Sequence, residues 1–157
     1  MDQAPPGYGA DVASRVELEG RLRAAGLRVT APRLAILSVL AGTPGHLTVD
    51  EIAHEARRLT GTVSTQAVYD VLSALSRVGL ARPFEAAGGP VRYEARVGDN
   101  HHHLVCRDCG RIVDVDCVVG SAPCLQPSDA HGFSVDEAEV TFWGTCPDCQ
   151  TNSQRSE

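Results

Sequence analysis

The sequence predicts an α+β fold in two parts, and three observations lead to this prediction. Four segments between residues 12 and 79 carry apolar residues at helical spacing, and capping residues or glycines bound them. Two short extended runs joined by a Gly-Gly-Pro loop follow and predict a β-hairpin. The rest of the chain has short strand-like runs around two Cys-x-x-Cys pairs. Helices followed by a hairpin are the order of a winged helix, and the cysteine-rich part predicts a small α/β domain with structural zinc.

The first two predicted helices have ends that the sequence defines. The first spans Val12–Ala25, is moderately amphipathic, and is stopped by Gly26. In the second, Thr30 is a suitable N-cap, Pro32 suits the first turn, and the apolar face lasts until Gly42.

The third and fourth helices are predicted from stronger signals. Thr48 begins the third helix, and Glu51 three residues later completes a capping box. Gly61 ends this helix. Ser64 begins the fourth, whose apolar residues recur at helical spacing until Gly79 supplies a left-handed stop.

The strands are short, and most of them surround the cysteine pairs. Leu80–Glu85 and Val91–Ala95 form the predicted hairpin. Beyond it the sequence predicts strands at His103–Cys106, Arg111–Val115, Phe133–Val135 and Ala138–Trp143, and a short helix at Pro123–Ala130. The predicted organisation is a disordered start (residues 1–10), a winged helix (11–95), a hinge (96–99), a metal-binding domain (100–150) and a disordered tail (151–157).

The charge is unevenly distributed between the two parts. The chain has a net charge of -6 and no lysine. Residues 1–95 contain ten arginines and ten acidic residues, whereas residues 96–157 contain four arginines and ten acidic residues. This asymmetry predicts a neutral front half with local basic patches and an acidic back half suited to metal ions.

Several classes of protein are disfavoured by the sequence. No apolar stretch approaches the ~18 residues of a membrane span, and the acidic, Pro-rich start is not a signal peptide, so a cytoplasmic protein without membrane contact is predicted. No phosphate-binding loop, dinucleotide fingerprint or nucleophile elbow is present. A zinc deaminase would need His-x-Glu, which is missing. A zinc-dependent or thiol redox enzyme is therefore only a distant alternative.

Two cysteine pairs predict a closed metal site. Cys106 with Cys109 and Cys146 with Cys149 are each spaced as a zinc knuckle. In a reducing compartment such pairs favour metal over disulfides. Four sulfurs complete a tetrahedron around Zn²⁺ and leave no position for substrate, so the site is predicted to be structural.

Three consecutive histidines lie just before the first pair. On a strand, alternate side chains share a face, so His101 and His103 should point together and His102 away from them. These imidazoles are candidates for a second metal, although such a run can also be an ordinary polar surface tract.

The fourth helix predicts contact with DNA. Its polar face carries Thr65, Gln66, Tyr69, Asp70, Ser73 and Arg77. Gln can pair with adenine, Arg with guanine or phosphate, and Tyr or Thr can touch a thymine methyl group. Ser64 at the start of the helix is included in the predicted DNA contacts. Arginines that could contact the phosphate backbone are Arg33, Arg57, Arg58, Arg82 and Arg92. The alternative is an ordinary solvated helix face.

These segments together resemble the ferric-uptake-regulator family of metal-responsive repressors. The residues that carry the resemblance are Leu27–Arg33, Ser64–Leu72, Gly79–Leu80, Arg92–Glu94, His101–Gly110 and Cys146–Cys149. The likeness covers about residues 15–150. Val97–His101 and Val115–Gly120 are similar to the actinobacterial branch that represses catalase-peroxidase genes.

The resemblance implies a homodimeric repressor that binds an AT-rich palindrome and is paired through its C-terminal domain. It implies a regulatory site for Fe²⁺ or Mn²⁺, and Zn²⁺ in vitro, with the ligands His46, Glu94, His101, His103 and Asp114. Bound metal would fix the DNA-binding domains of the two subunits at a spacing that fits DNA. Peroxide acting at bound Fe²⁺ would release the DNA. A zinc-uptake regulator of the same family is the alternative.

Some metal-ligating residue types are left over. A third family site would need donors where Asn100, Ser121 and Ala138 stand, so we expect it to be degraded or absent, with His102 solvated or supporting. His54 and His131 are predicted to be surface residues. Cys117 and Cys124 are interpreted as half-buried cysteines or, alternatively, as redox thiols.

Overall fold

The computed structural model describes residues 13–86 and 88–154. The chain divides into two compact units, Met1–Val97 and Gly98–Glu157. The start predicted to be disordered (residues 1–10) and the last three residues of the predicted tail lie outside the described residues. In the part of the chain that is described, no helix is both long and apolar enough to cross a membrane.

Four helices form most of the first unit. They are α1 (Arg15–Ala24), α2 (Ala31–Gly42), α3 (Val49–Thr60) and α4 (Thr65–Arg77). The predicted caps are confirmed: Thr30, Thr48 and Ser64 each accept a backbone N–H from the first turn of their helix. Thr48 and Glu51 make the predicted capping box. Because these side chains satisfy backbone donors that have no partner within the helix, they define where each helix begins.

A small antiparallel sheet completes the first unit. Its strands are β1 (Leu47–Thr48), β2 (Arg82–Phe84) and β3 (Arg92–Glu94), in the order β1-β3-β2. The β2–β3 pair is the predicted hairpin, and helices followed by a hairpin are the order expected of a winged helix. The sequence did not predict β1, because two residues are too short to show an alternating pattern.

The core of the first unit is built from the predicted apolar faces. Leu22, Ile36, Leu37, Ile52, Leu72 and Leu75 are completely buried within one cluster. Burial of each such side chain contributes about 1.5–3 kcal/mol. The polar faces of α3 and α4 are consequently turned away from this core.

The second unit is a three-stranded sheet followed by a helix. Its elements are β4 (His101–Cys106), β5 (Ile112–Asp116), β6 (Thr141–Gly144) and α5 (Pro147–Gln154). The central strand β4 pairs antiparallel with β5 and parallel with β6. A parallel pair needs a long connection, which the segment between β5 and β6 provides.

Several predictions for the second unit are wrong. Residues 123–130 are not helical, and Phe133–Val135 is not a strand. Pro127 lacks the N–H that a helix interior needs, and among the described residues no strand pairs with the Phe133 segment. The last strand begins at Thr141 rather than Ala138. Residues 151–154, predicted to be disordered, lie in α5, which starts at Pro147, a residue favoured in the first helical position.

Candidate functional site

Four cysteines converge at one end of the second sheet. Cys106 ends β4, Cys109 follows in a tight turn, and Cys146 and Cys149 flank the start of α5. The parallel register pairs Cys106 with Gly144, which brings the second cysteine pair beside the first. The four sulfurs all lie within 4.8 Å of one another, and Cys109 Sγ is 3.7 Å from Cys146 Sγ. A zinc tetrahedron with 2.3 Å bonds has edges of about 3.8 Å, so the cluster fits a structural zinc site.

The ionisation of these thiols supports the same assignment. Backbone N–H groups of Cys109 and Cys146 lower the pKa of Cys106 to about 6. The neighbouring sulfurs of Cys146 and Cys109 raise the pKa of Cys149 instead. One thiolate therefore forms readily, but four thiolates this close repel one another unless a cation is present. A divalent soft-metal ion supplies that charge.

A buried histidine and a buried carboxylate lie side by side in the first unit. The β1–β3 register pairs Leu47 with Tyr93, so His46 just before β1 lies beside Glu94 at the end of β3. His46 Nε2 is 3.4 Å from Glu94 Oε2, and each side chain is only 1% exposed. The Phe84 ring packs 5.4 Å from the His46 ring. This pair offers one nitrogen and one carboxylate to a metal ion.

The second unit holds a further group of metal-ligating side chains. His101 and His103 are buried on the same side of β4, as strand alternation predicted, with ring centroids 5.1 Å apart. Asp114 is the register partner of His103 on β5, and its Oδ1 lies 3.8 Å from His103 Nε2. Two nitrogens and one carboxylate are therefore close together within this unit.

Two carboxylates near these histidines were missed by the sequence reasoning. Asp99 Oδ1 lies 2.8 Å from His101 Nδ1, and Glu139 Oε1 lies 3.7 Å from His103 Nδ1. A carboxylate on one ring nitrogen is the usual way in which a metal-binding histidine is oriented. The Asp99-x-His101 spacing was an available signal. Glu139 had none, because it depends on the fold of the segment before β6.

Of the two predictions for His102, solvated or supporting, the solvated one is wrong. His102 is only 5% exposed and lies on the opposite side of β4 from His101 and His103. Its Nε2 is 3.2 Å from Cys124 Sγ, and His102, Cys117 and Cys124 place one ligand atom each within 4.8 Å of one another. His54 and His131 are exposed, as predicted.

The residues at the predicted third site do not act as its donors. The Asn100 side chain donates a hydrogen bond to the Ser121 carbonyl at 3.1 Å, so both residues fix a loop. Ala138 has no side-chain donor atom. Its backbone carbonyl is 3.9 Å from the Cys124 sulfur.

The outer face of α4 is arranged as the sequence predicted. Thr65, Gln66, Tyr69, Asp70, Ser73 and Arg77 are all exposed, while Val68, Val71, Leu72, Ala74 and Leu75 are buried. Tyr69 is 50% exposed, and the Gln66 amide donates to Asp70 at 3.0 Å. The face offers hydroxyl, amide and guanidinium groups to solvent.

The other predicted DNA contacts have local structural roles. Ser64 caps α4 through the N–H of Ala67. Arg57 donates to the Val63 carbonyl and the Thr65 hydroxyl, which ties α3 to the start of α4. Arg33 donates to the Arg28 carbonyl at 2.9 Å. These contacts fix the positions of the two arginines without neutralising their charge.

Comparisons with known proteins agree with this arrangement. The pattern of the ferric uptake regulator family matches residues 24–142. Transcriptional regulator FurA of Mycobacterium tuberculosis is 56% identical over 129 residues, which cover 82% of this chain and 87% of that protein. Ferric uptake regulation protein 1 of Mycolicibacterium fortuitum is 49% identical over 134 residues, covering 85% and 83%.

The architecture also matches a solved structure. The ferric uptake regulator from Pseudomonas aeruginosa with manganese superposes with a TM-score of 0.62 at 25% identity. The match covers 83% of this chain and 98% of that one.

Proposed function

Because the chain belongs to the ferric uptake regulator family, we propose that it is a metal-dependent, redox-responsive, dimeric repressor that binds an AT-rich palindromic operator. At family level it is a metal-responsive transcriptional regulator and not an enzyme. Its mycobacterial relatives place it in the actinobacterial branch. The proposed targets are catalase-peroxidase or iron-homeostasis genes, and the proposed location is the cytoplasm.

The observation that carries the proposal is the presence of buried histidine and carboxylate ligands in each unit. His46 with Glu94 belongs to the first unit, and His101, His103 and Asp114 belong to the second. We propose that one regulatory ion binds both sets. A ligand set of imidazoles and carboxylates suits Fe²⁺ or Mn²⁺, while Zn²⁺ prefers fewer and softer donors. The manganese in the Pseudomonas aeruginosa protein is consistent with this preference.

The proposed mechanism is a shift in population. Without the ion, the carboxylates of Glu94 and Asp114 would disfavour any arrangement that brings their negative charges together. An ion bound by both sets would favour the arrangement of the two units that is competent for DNA. Apparent DNA affinity would then rise with the competent fraction. Bound Fe²⁺ would also allow peroxide to oxidise a neighbouring histidine, which would release the DNA.

DNA recognition is assigned to the exposed face of α4. Gln66 can make a bidentate contact with adenine, and the Tyr69 ring can pack on a thymine methyl group, which favours AT-rich sequence. Arg77 on the same face, and Arg57 in the last turn of α3, next to the start of α4, would contact phosphates. This assignment is supported by the exposure of these residues and by the rigid capping of the helix.

A second copy of the chain is the partner proposed for the second sheet. Val113, Leu104 and Phe142 are register partners across β5, β4 and β6, and they are 42%, 44% and 48% exposed. A row of large apolar side chains on one sheet is typical of a surface that another protein covers. Two-fold pairing through this row would match the symmetry of a palindromic operator.

Replacing Leu104 with arginine should dissociate the dimer. Two-fold symmetry brings the two new charges close together in the interface, so we expect the dissociation constant to rise more than about 100-fold. Analytical ultracentrifugation of the zinc-containing protein measures this directly. The control is Val16→Arg, which changes an exposed apolar residue of α1. A Leu104→Arg protein that remains dimeric at the wild-type concentration would exclude this surface.

Binding of an AT-rich palindromic duplex, measured by fluorescence anisotropy, tests the proposed function. Wild-type protein that retains its structural zinc should bind at least about tenfold more tightly with Mn²⁺ than with chelator, as expected for a typical coupling energy. Peroxide should reverse binding by the Fe²⁺-loaded protein and leave the Mn²⁺-loaded protein bound. Equal affinity with and without metal would refute the repressor mechanism.

Variants of α4 complete this test. Gln66→Ala and Tyr69→Ala should each weaken binding by about 1–3 kcal/mol, since each removes a base contact. Arg15→Ala on α1 serves as the control, because its exposed ion pair with Glu19 has little energetic weight. If both α4 variants bind as wild type does, another element reads the DNA.

The zinc-uptake regulator is the second candidate. Such a sensor would be expected to include a cysteine among its regulatory ligands. The two sets of regulatory ligands described above consist of histidines and carboxylates, which disfavours this candidate. The response to Mn²⁺ against Zn²⁺ in the same assay separates the two candidates.

A further inference from the structure

One strand of the second unit uses its two sides for different ligand sets. His101 and His103 occupy one side of β4, whereas His102 on the other side contacts Cys124 at 3.2 Å. Cys117 completes a group whose ligand atoms all lie within 4.8 Å of one another. In a tetrahedral Zn²⁺ site, sulfur and nitrogen ligands are about 3.6 Å apart and two sulfurs about 3.8 Å. The group therefore needs only small adjustments to accept an ion.

The loop between the two cysteines is held in place by specific contacts. The Cys117 N–H donates to the Asn100 carbonyl at 3.3 Å, and the Asn100 side chain donates to the Ser121 carbonyl at 3.1 Å. Asn100 lies immediately before β4. The loop is thus fixed at both points to the strand region that carries His102, and Cys117 and Cys124 are positioned next to the imidazole.

Cys117 also lies in a turn of the kind that surrounds the zinc-binding Cys106. Backbone N–H groups two and three residues later, from Val119 and Gly120, donate to the Cys117 sulfur. Cys106 receives the equivalent N–H groups from Asp108 and Cys109. N–H groups directed at a sulfur stabilise its thiolate, which is the form that binds metal.

We propose that His102, Cys117 and Cys124 form an additional metal site that takes Zn²⁺ through one nitrogen and two sulfurs. The ligands are borderline-soft, as Zn²⁺ prefers, and three protein donors leave the fourth position for water or an exchangeable ligand. The site is distinct from the four-cysteine cluster and from the histidine and carboxylate ligands assigned to regulation. It provides a role for the two cysteines that the repressor mechanism does not use.

The residues around the three ligands favour metal binding, but binding also breaks one hydrogen bond. A cavity of about 510 Å³ beside the three ligands is lined largely by apolar side chains, including Val115, Val119, Leu125 and Phe142. Low polarity strengthens the attraction between thiolates and a cation. Ligation through His102 Nε2 places the remaining proton on Nδ1, which displaces the 3.4 Å hydrogen bond from the Val140 N–H. That bond is long, so its loss does not prevent binding.

Cobalt titration of reduced wild-type protein that retains its structural zinc tests the proposal without DNA. Cobalt bound by imidazole and carboxylate alone gives no thiolate charge-transfer absorption, so this band reports only sulfur ligation. We expect the band to saturate with one thiolate-bound Co²⁺ per chain, whatever further Co²⁺ binds to the histidine and carboxylate ligands, while the structural zinc stays bound. Absence of the band in wild-type protein would overturn the proposal.

Variants and chemical protection identify the ligands. Loss of a residue that only hydrogen-bonds to a metal ligand typically weakens metal binding by about 10–100-fold. Cys117→Ser and Cys124→Ser each remove a ligand itself, so each should weaken Co²⁺ binding by more than about 100-fold. Ser121→Ala is the matched control in the same loop, since it keeps the carbonyl that Asn100 binds. An unchanged band in the double cysteine variant would refute the assignment.

The same question can be asked of the wild-type protein alone, which avoids any effect of substitution on folding. Zn²⁺ in excess of both the regulatory ligands and the proposed site should protect Cys117 and Cys124 from iodoacetamide, as read by peptide mass spectrometry. Equal alkylation of both thiols with and without Zn²⁺ would contradict the site.

Discussion

Replacing Cys146 with serine should abolish cooperative folding of the second unit and release its zinc. Structural zinc contributes roughly 10–16 kcal/mol of apparent binding free energy in small zinc-dependent domains. This is as large as the whole stability of a typical domain, which is about 5–15 kcal/mol. The loss of one of four ligands is therefore expected to exceed what the sheet can compensate. Zinc content by mass spectrometry and urea unfolding followed by circular dichroism measure both effects.

The fold explains why the effect should be large. The four-cysteine cluster joins the end of β4 to the start of α5, and β6 between them is only four residues long. The Cys146 N–H also donates to the Cys106 sulfur at 3.3 Å. Without the ion, the closely spaced sulfurs take up protons, and no metal–sulfur bonds join the two cysteine pairs. The second cysteine pair would then separate from the first.

A matched control lies within the same turn. Asp148 is between Cys146 and Cys149 and makes an exposed ion pair with Arg111 at 3.1 Å. Asp148→Asn should change the free energy of unfolding by less than about 1 kcal/mol, as exposed ion pairs usually do. A Cys146→Ser protein that keeps one zinc and unfolds at the wild-type urea concentration would show that the cluster has no structural role.

The first unit could be predicted in detail because its signals are local. Thr30, Thr48 and Ser64 are capping residues that act within one turn of the chain, and the structure confirms all three. The buried and exposed faces of α4 follow from helical periodicity alone. Only β1 was missed, because a two-residue strand depends on its pairing with β3.

The segment between β5 and β6 could not be predicted for the opposite reason. Its conformation depends on contacts distant in sequence, such as the Asn100 amide with the Ser121 carbonyl. The same segment buries His102 beside Cys124, 22 residues later, and local polarity gave no indication of this. Strand alternation correctly placed His102 on the opposite side of β4 from His101 and His103. The contact of His102 with Cys124 on that side depends on the fold of the loop.

The candidate metal ligands lie between these two cases. The spacing within each Cys-x-x-Cys pair predicts a metal site, because the two cysteines are close in sequence. His46 and Glu94 are 48 positions apart, and only the β1–β3 register brings them to 3.4 Å. The spacing of residues along the chain cannot predict such a pair. His46 and Glu94 were predicted as ligands only because the sequence resembles the family.

Replacing His46 with alanine should remove the metal response of DNA binding. Its imidazole is the nitrogen donor beside Glu94 in the first unit, so its loss should raise the Mn²⁺ concentration needed for half-maximal DNA binding more than about 100-fold. The weak DNA affinity measured with chelator should stay at its wild-type value, because α4 is unchanged. Anisotropy titrations with Mn²⁺ at fixed DNA concentration separate the two quantities.

The control for this substitution is His54→Ala, which removes an exposed histidine of α3 in the same unit. It should respond to Mn²⁺ as the wild type does. Since His46 is buried, thermal unfolding of the first unit must also be compared, so that loss of metal response is not confused with loss of fold. If folded His46→Ala protein responds at the wild-type Mn²⁺ concentration, the ion is held by the second unit alone. The first unit could then not be controlled by the ion in the way proposed.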